Sequence, residues 1–431
     1  MRYLHPREFF EQARQRSAYV AAALLLLSAG VFGVFRLYAH ADPAALSLAD
    51  SVADSASADS SVLLPPKADA VARVPSPDAV RALYLNAWAA GSPTKLPRLI
   101  DIANRTEINS FVIDVKEGGE VSYRTGVRLA NEIGAAQTYI RDVRALLTRL
   151  RENNIYPIAR IVVFKDPVLA KAKPEYAVKN ADGSIWLDNK GKAWVDSYNR
   201  DVWDYNIALA REAIELGFSE VQWDYVRFPD APRSYLSRAV WPAQQGRSKS
   251  DAIREFLLYA RERLKDLNVP VTADVFGLTV TTTGDMGIGQ QWEKMVDAVD
   301  VILPMVYPSH FIPGNYGLSN PNAAPYRTIR RAMDDAIKRT SPVPNAARIR
   351  PWLQDFTLGP PRYGAAHVRA QIEAVHDAGL TEWVLWHPGS NYTIDALTVD
   401  GQPAPHFDIP GGKGPPEKPV TREKGSGREQ P

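Results

Sequence analysis

Between residues 78 and 400, short apolar runs alternate with stretches of helical periodicity. Eight runs read as strands, at 81–88, 110–116, 155–164, 219–225, 269–276, 300–307, 349–356 and 380–387, and each is nearly continuous in Val, Ile, Leu and aromatic residues. Runs of that kind suit a parallel sheet covered on both faces. Apolar residues spaced by three and four follow them, for example over 139–150, 253–264, 329–337 and 368–378; that spacing predicts helices with one buried face. Eight strand–helix units over about 320 residues predict a (β/α)8 TIM barrel, class α/β, rather than an open doubly wound sheet. A nucleotide-binding open sheet also needs a Gly-rich turn after its first strand. Asn86-Ala87-Trp88-Ala89-Ala90-Gly91 is not one.

Outside this region the pattern changes. Residues 19–35 form an uncharged run rich in Ala, Leu, Val and Gly, preceded by Arg2, Arg7, Arg14 and Arg16. The run is at the lower limit for a membrane span, about 17–25 residues. The basic flank predicts that residues 1–18 stay in the cytoplasm and that the rest is exported. We expect a transmembrane signal anchor in the inner membrane, with the barrel facing the periplasm or the cell exterior. The alternative is secretion after cleavage at Ala39-His40-Ala41, a small-x-small pattern. Residues 41–77, dominated by Ala, Ser and Asp, read as a disordered linker. The Gly-, Pro- and charge-rich stretch 401–431 reads as a disordered tail.

Composition adds mostly exclusions. A formal net charge of +2 provides no electrostatic footprint for nucleic acid. With no cysteine, thiol catalysis, disulfides and cysteine metal sites are all excluded. Four of the seven histidines, His310, His367, His376 and His387, fall in the barrel, and none forms a closely spaced metal-binding pair. No Gly-x-Ser-x-Gly elbow is present. We therefore expect neither metal nor cofactor.

The barrel fold places its site at the C-terminal ends of the strands, and polar residues collect there. They are Asp114 and Lys116 on the second strand, Arg160 in the third and Asp224 on the fourth. Asp274 ends the fifth strand, Tyr307 the sixth, Gln354 and Asp355 the seventh, and Trp386 and His387 the eighth. Alternation puts Asp114 with Lys116, and Gln222 with Asp224, on one side of their strands. A carboxylate inside a barrel must be paired or hydrogen-bonded, so their convergence implies a shared polar site. Hydrolysis of a glycosidic bond uses such carboxylates without a metal: one acid protonates the leaving oxygen and one carboxylate attacks or activates water. A purely structural reading pairs Asp114 with Lys116, and Asp224 with Arg160 or Arg227. Long loops follow the third, fourth and sixth strands, and that after the third holds Trp186 and Trp194 in and beside a candidate hairpin. Exposed, these rings would stack on sugar; buried, they would pin the loop to the barrel.

The sequence resembles a bacterial family of barrel domains classed as glycoside hydrolases. The resemblance rests on Phe-Val-Ile-Asp-Val-Lys-Glu (111–117), Val-Ser-Tyr (121–123), Ala-Arg-Ile-Val-Val-Phe-Lys-Asp (159–166) and Trp-Asp-Tyr-Val-Arg-Phe-Pro (223–229). Ala-Asp-Val-Phe-Gly (273–277), Pro-Met-Val-Tyr-Pro-Ser-His (304–310) and Pro-Trp-Leu-Gln-Asp-Phe (351–356) continue it in order, so that it spans about residues 80–395. It implies an enzyme acting on an envelope or extracellular polysaccharide. A looser kinship with barrel glycosidases implies Asp224 as nucleophile, Arg227 orienting a carboxylate and Asp274 as acid/base, with Asp355 a rival for the last role. Asp114, Lys116, Arg160, Tyr307, Trp386 and His387 are then expected to line the substrate site. Neighbouring strands would hold Asp224 and Asp274 near the about 5–5.5 Å of retaining enzymes. The alternatives are a catalytically inert barrel that binds glycan or scaffolds the envelope, and a transglycosylase using the same pair; the few histidines disfavour a metal-dependent deacetylase.

Overall fold

In a computed structural model that describes residues 72–398, 402 and 406–414, eight parallel strands close into a barrel. They are β1 (Arg81–Leu85), β2 (Ser110–Glu117), β3 (Tyr156–Val162), β4 (Glu220–Asp224), β5 (Val271–Phe276), β6 (Val301–Met305), β7 (Trp352–Gln354) and β8 (Trp383–Trp386). Each pairs with its sequence neighbour, and β8 returns to β1. The outer layer contains α1 (Lys95–Arg105), α2 (Val143–Glu152), α3 (Arg200–Leu216), α4 (Lys249–Leu264), α5 (Pro325–Thr340) and α6 (Ala365–Asp377). This is the expected TIM barrel. The anticipated membrane segment at 19–35 lies outside the described residues, as does most of the linker; among the described residues no helix is long and apolar enough to cross a membrane.

Local chemistry sets the element boundaries. The first apolar run stops being strand at Leu85 because the Asn86 side chain accepts the Ala89 N–H at 2.8 Å and caps a short helix, Ala87–Gly91. Gly91 ends that turn against the Tyr139 carbonyl, where a β-carbon would sit only 1.8 Å from the oxygen. Asp142, Asn199 and Ser248 cap α2, α3 and α4 in the same manner as Asn86. The seventh run is split: Arg348–Ile349 and β7 both pair with β6, with Arg350-Pro351 between them. Proline has no N–H for the ladder.

Two apolar compartments result. Val112, Ile158, Val301, Leu303 and Val384 pack inside the barrel with Tyr84 and Trp352, while a larger cluster fills the space between strands and helices. Val74 covers the base of the barrel, where its carbonyl accepts the Ser219 hydroxyl at 2.8 Å. The opposite end, where the strands finish, receives the polar residues.

Candidate active site

Arg160 stands at the centre of the mouth. Its neighbour across the ladder is Asp114 on one side and Gln222 on the other, so all three side chains point into the barrel. The Arg160 Nη1 donates to Asp114 Oδ1 at 2.5 Å and to Glu117 Oε2 at 2.8 Å; Nε and Nη2 donate to Asp224 Oδ2 at 3.0 and 2.5 Å. The Tyr84 hydroxyl donates to the other Asp114 oxygen at 2.6 Å. The remaining Asp224 oxygen accepts the Tyr225 backbone N–H at 2.5 Å. Asp224 is therefore held by the guanidinium and a backbone donor in one fixed orientation.

Asp274 lies on the adjacent strand, one residue beyond the Trp223–Ala273 register pair. Both its oxygens accept from the Gln222 amide, at 2.9 and 3.0 Å, and Oδ1 also accepts the Trp352 indole N–H at 2.6 Å. Among the described residues it forms no ion pair. Burial, then the nearby charge of Asp224, push its carboxyl well above the usual range, against the opposing pull of Arg160. Burial likewise raises Asp114 to about 6, with Arg160 opposing and Glu117 assisting. Arg160 itself is held charged: burial works against its charge, and Asp114, Asp224 and Glu117 outweigh that effect.

A wall of rings faces the carboxylates. Trp386 packs on Phe356 at 5.0 Å, on Tyr307 at 5.6 Å and on Tyr84 at 6.2 Å between ring centroids. Tyr307 also meets His310 edge-on at 5.1 Å. Burial, then the neighbouring Asp274 and Asp224 carboxyls, raise the Tyr307 hydroxyl against the pull of Arg160, which keeps it a neutral donor. Of the ring-bearing residues expected here, Tyr307 and Trp386 thus join the mouth.

Other expected residues lie elsewhere. Lys116 was expected beside Asp114, but the β2–β3 register shifts between them: Asp114 pairs with Arg160 and Lys116 with Ile161. This irregularity inserts Val115 as an extra residue and flips Lys116 out of the barrel. Its ammonium instead meets Asp166 at 2.7 Å and Asn206 of α3 at 2.8 Å, fully buried between sheet and helix. Asp355 is engaged by Thr393. Its oxygens accept the Thr393 hydroxyl at 2.6 Å and the Thr393 N–H at 2.8 Å, and no hydrogen bond or ion pair among the described residues links it to Asp224 or Asp274. His387 is half-buried, its Nδ1 accepting the Gly389 N–H at 3.0 Å. Burial, then Lys95, lower its pKa.

Trp186 and Trp194 are both buried, so neither offers a face for stacking on sugar. The Trp186 N–H donates to the Tyr235 carbonyl at 2.9 Å and Trp194 to Asp188 at 3.0 Å. Lys179 bridges both Ile185 and Val240, which ties the loop after β3 to the loop after β4. The rings pin these loops down. Arg227 forms no ion pair with Asp224; Arg160 takes that place. Glu117, Tyr84 and Trp352 belong to the mouth but escape a sequence reading. Glu117 beside Gly118-Gly119 looks like surface charge, and Tyr84 and Trp352 look like ordinary strand residues; alternation with Ala82 was the available signal for Tyr84.

Residues 82–392 match the sequence profile of a family described as a "putative glycosyl hydrolase domain". A hypothetical protein from Ruminiclostridium thermocellum ATCC 27405 is 44% identical over 45% of this chain and 97% of its own, with a TM-score of 0.42. The PgaB (BpsB) glycoside hydrolase domain from Bordetella bronchiseptica aligns over 75% of this chain and 99% of its own, at 12% identity and a TM-score of 0.53. At that identity the likeness concerns the fold, which by itself does not carry an activity. No curated protein matches the chain.

Proposed function

The chain belongs to this glycosyl hydrolase family, and from that premise we propose that it cleaves an envelope or extracellular polysaccharide with Asp224 and Asp274 as its working carboxylates. The observation that carries the reading is a carboxyl, Asp274, that burial and then the charge of Asp224 push well above the usual range, next to an arginine-held carboxylate on the neighbouring strand at the barrel mouth. These are the two states that glycosidic hydrolysis requires at one pH.

In this mechanism Asp274 gives its proton to the glycosidic oxygen as the bond to the anomeric carbon breaks. Asp224, aimed by Arg160, attacks that carbon and forms a sugar ester. Asp274, now a carboxylate, takes a proton from water, whose oxygen displaces Asp224 and restores both groups. Gln222 and Trp352 hold Asp274 in place throughout. Strand spacing of about 4.7–4.9 Å favours the short carboxylate separation of a retaining enzyme. The apolar run 19–35 and its basic flank support export and a membrane tether for this barrel.

One observation favours the second reading, an inert glycan-binding barrel: Asp274 is only 1% exposed. Incubating the full chain with a panel of bacterial polysaccharides separates the two. The hydrolase releases new reducing ends and its first-formed anomer keeps its configuration by proton NMR. No release from any glycan it binds supports the inert barrel, and an inverted product removes Asp224 and Asp274 as the pair.

A further inference from the structure

Three residues beyond Asp224, Arg227 is a buried cation without a carboxylate. It is 8% exposed, it forms no ion pair among the described residues, and its one hydrogen bond runs from Nη1 to the Phe228 carbonyl at 3.0 Å. Three rings hold it instead. Its guanidinium carbon lies 5.2 Å from the Trp194 ring centroid, 4.7 Å from Tyr225 and 4.5 Å from Phe276. Ring faces compensate only part of the hydration such a cation loses. The group is thus fixed in place and still short of an anion.

A second cation shares one of those rings. Lys165 Nζ lies 4.8 Å from the Tyr225 centroid and forms no hydrogen bond or ion pair among the described residues. Tyr225 follows Asp224 directly and has a φ of +49°, a left-handed backbone that bulky side chains seldom adopt. That turn sets the ring between Lys165 and Arg227 and ties both to the position of Asp224. Lys190, on the loop after β3, completes the group: its backbone N–H donates to Asp188 Oδ1 at 2.8 Å, and the other Asp188 oxygen accepts the indole N–H of Trp194, the ring that also faces Arg227. Three carboxylates lie nearby: Asp224, held by Arg160, together with Asp188 and Asp230. Asp188 is occupied by the Lys190 and Lys192 N–H groups and the Trp194 indole, and exposed Asp230 pairs with none of the three cations.

We propose that Arg227, Lys165 and Lys190 form an anion-recognising subsite beside Asp224, and that the glycan cleaved here carries a carboxylate or sulfate on a sugar next to the scissile bond. This rests on the hydrolase reading for its location, but not for its binding chemistry. A guanidinium matches the planar, two-oxygen edge of either anion.

The test measures binding of oligosaccharides to the full chain by indole fluorescence and calorimetry. The probes are galacturonate, glucuronate and mannuronate oligomers and a sulfated galactan oligomer, each beside its methyl-esterified or desulfated counterpart. At least one acidic oligomer binds tenfold or more tightly than its neutral counterpart, and whether it is a uronate or the sulfate identifies the anion. Arg227→Gln removes most of that preference, Lys165→Gln and Lys190→Gln each reduce it severalfold, and salt weakens it. If Arg227→Gln does not fold, the two lysine variants, which lie less buried, decide. Equal binding of every charged and neutral pair overturns the subsite, as does a preference that survives the substitutions. Acidic preference without cleavage keeps the subsite and removes the hydrolase reading. Cleavage of a neutral glycan, unchanged by Arg227→Gln, does the reverse.

Discussion

The two ends of the barrel each bury an arginine among carboxylates, but the charges balance at only one of them. At the base, Arg350 Nη1 meets Glu220 at 2.6 Å and Nε meets Glu382 at 2.8 Å, while Arg348 also pairs with Glu382. Thr272 and Tyr156 donate to the Glu220 oxygens at 3.3 and 3.4 Å. Two cations thus serve two carboxylates. At the mouth, Arg160 is the one cation among the described residues in ion-pair contact with Asp114, Glu117 and Asp224, and Asp274 on the adjacent strand forms no ion pair. Burial in a low-dielectric interior makes an unmatched charge costly, so the surplus is relieved by keeping protons. The base is a completed structural network; the mouth favours a protonated Asp274, as a general acid requires. The contrast argues for chemistry at the mouth more strongly than the presence of acids there does.

Substitutions at the two ends should therefore fail in different ways. Asp224→Asn should produce the largest effect, removing turnover by more than the about 10²–10⁴ that a lost general acid costs, with the melting temperature close to wild type. Asp274→Asn should fall within that range, because the amide keeps its shape and loses only the proton. Full activity in Asp274→Asn would move the acid to another carboxylate, and Glu117, the exposed one held by Arg160 at 2.8 Å, is the candidate. At the base, Arg350→Leu leaves buried Glu220 without a cation and Glu382 with Arg348 alone, and should destabilise the fold by about 3–5 kcal/mol in denaturant titration. Its surviving folded fraction should keep wild-type kcat; a loss of kcat there would mean that the ends do not act separately.

Smaller effects sharpen the picture. Trp186→Ala should cost about 3–5 kcal/mol of stability through lost packing, with glycan affinity per folded molecule unchanged. For Asp114 the sign follows from its folded pKa of about 6, above the ordinary 3.8. The protonated form is favoured by folding, so this contribution is fully present below pH 3.8 and disappears as pH rises through about 6. Asp114→Asn should remove that part of the pH dependence of stability, on the order of 1–3 kcal/mol.

The hydrophobic pattern carried the barrel because each strand is wrapped on both faces, and alternation then placed Asp114, Gln222, Asp224 and Asp274 inward. What it could not carry depends on single-residue backbone events. One inserted residue, Val115, sends Lys116 to Asp166 and away from the mouth. Asn86 ends the first strand by capping, although the apolar pattern continues to Trp88. Choice of partner is equally local: Arg160 and Arg227 were both candidates to hold Asp224, and only the ladder register, which sets Arg160 beside Gln222 and Val162 beside Asp224, decides between them. Burial of Trp186 and Trp194 depends on loop-to-loop contacts between residues some fifty positions apart, such as Trp186 with Tyr235.

The central claim is that burial, and then the charge of Asp224 beside it, favour the protonated form of Asp274 at the mouth. A carboxyl ¹³C NMR titration of Asp274 tests this without any substrate. The account predicts an Asp274 carboxyl still protonated at neutral pH in the native chain, with a lower titration midpoint in Asp224→Asn, where the like charge is gone. Titration of Asp274 near the ordinary aspartate value of about 3.9, unmoved by Asp224→Asn, would contradict it.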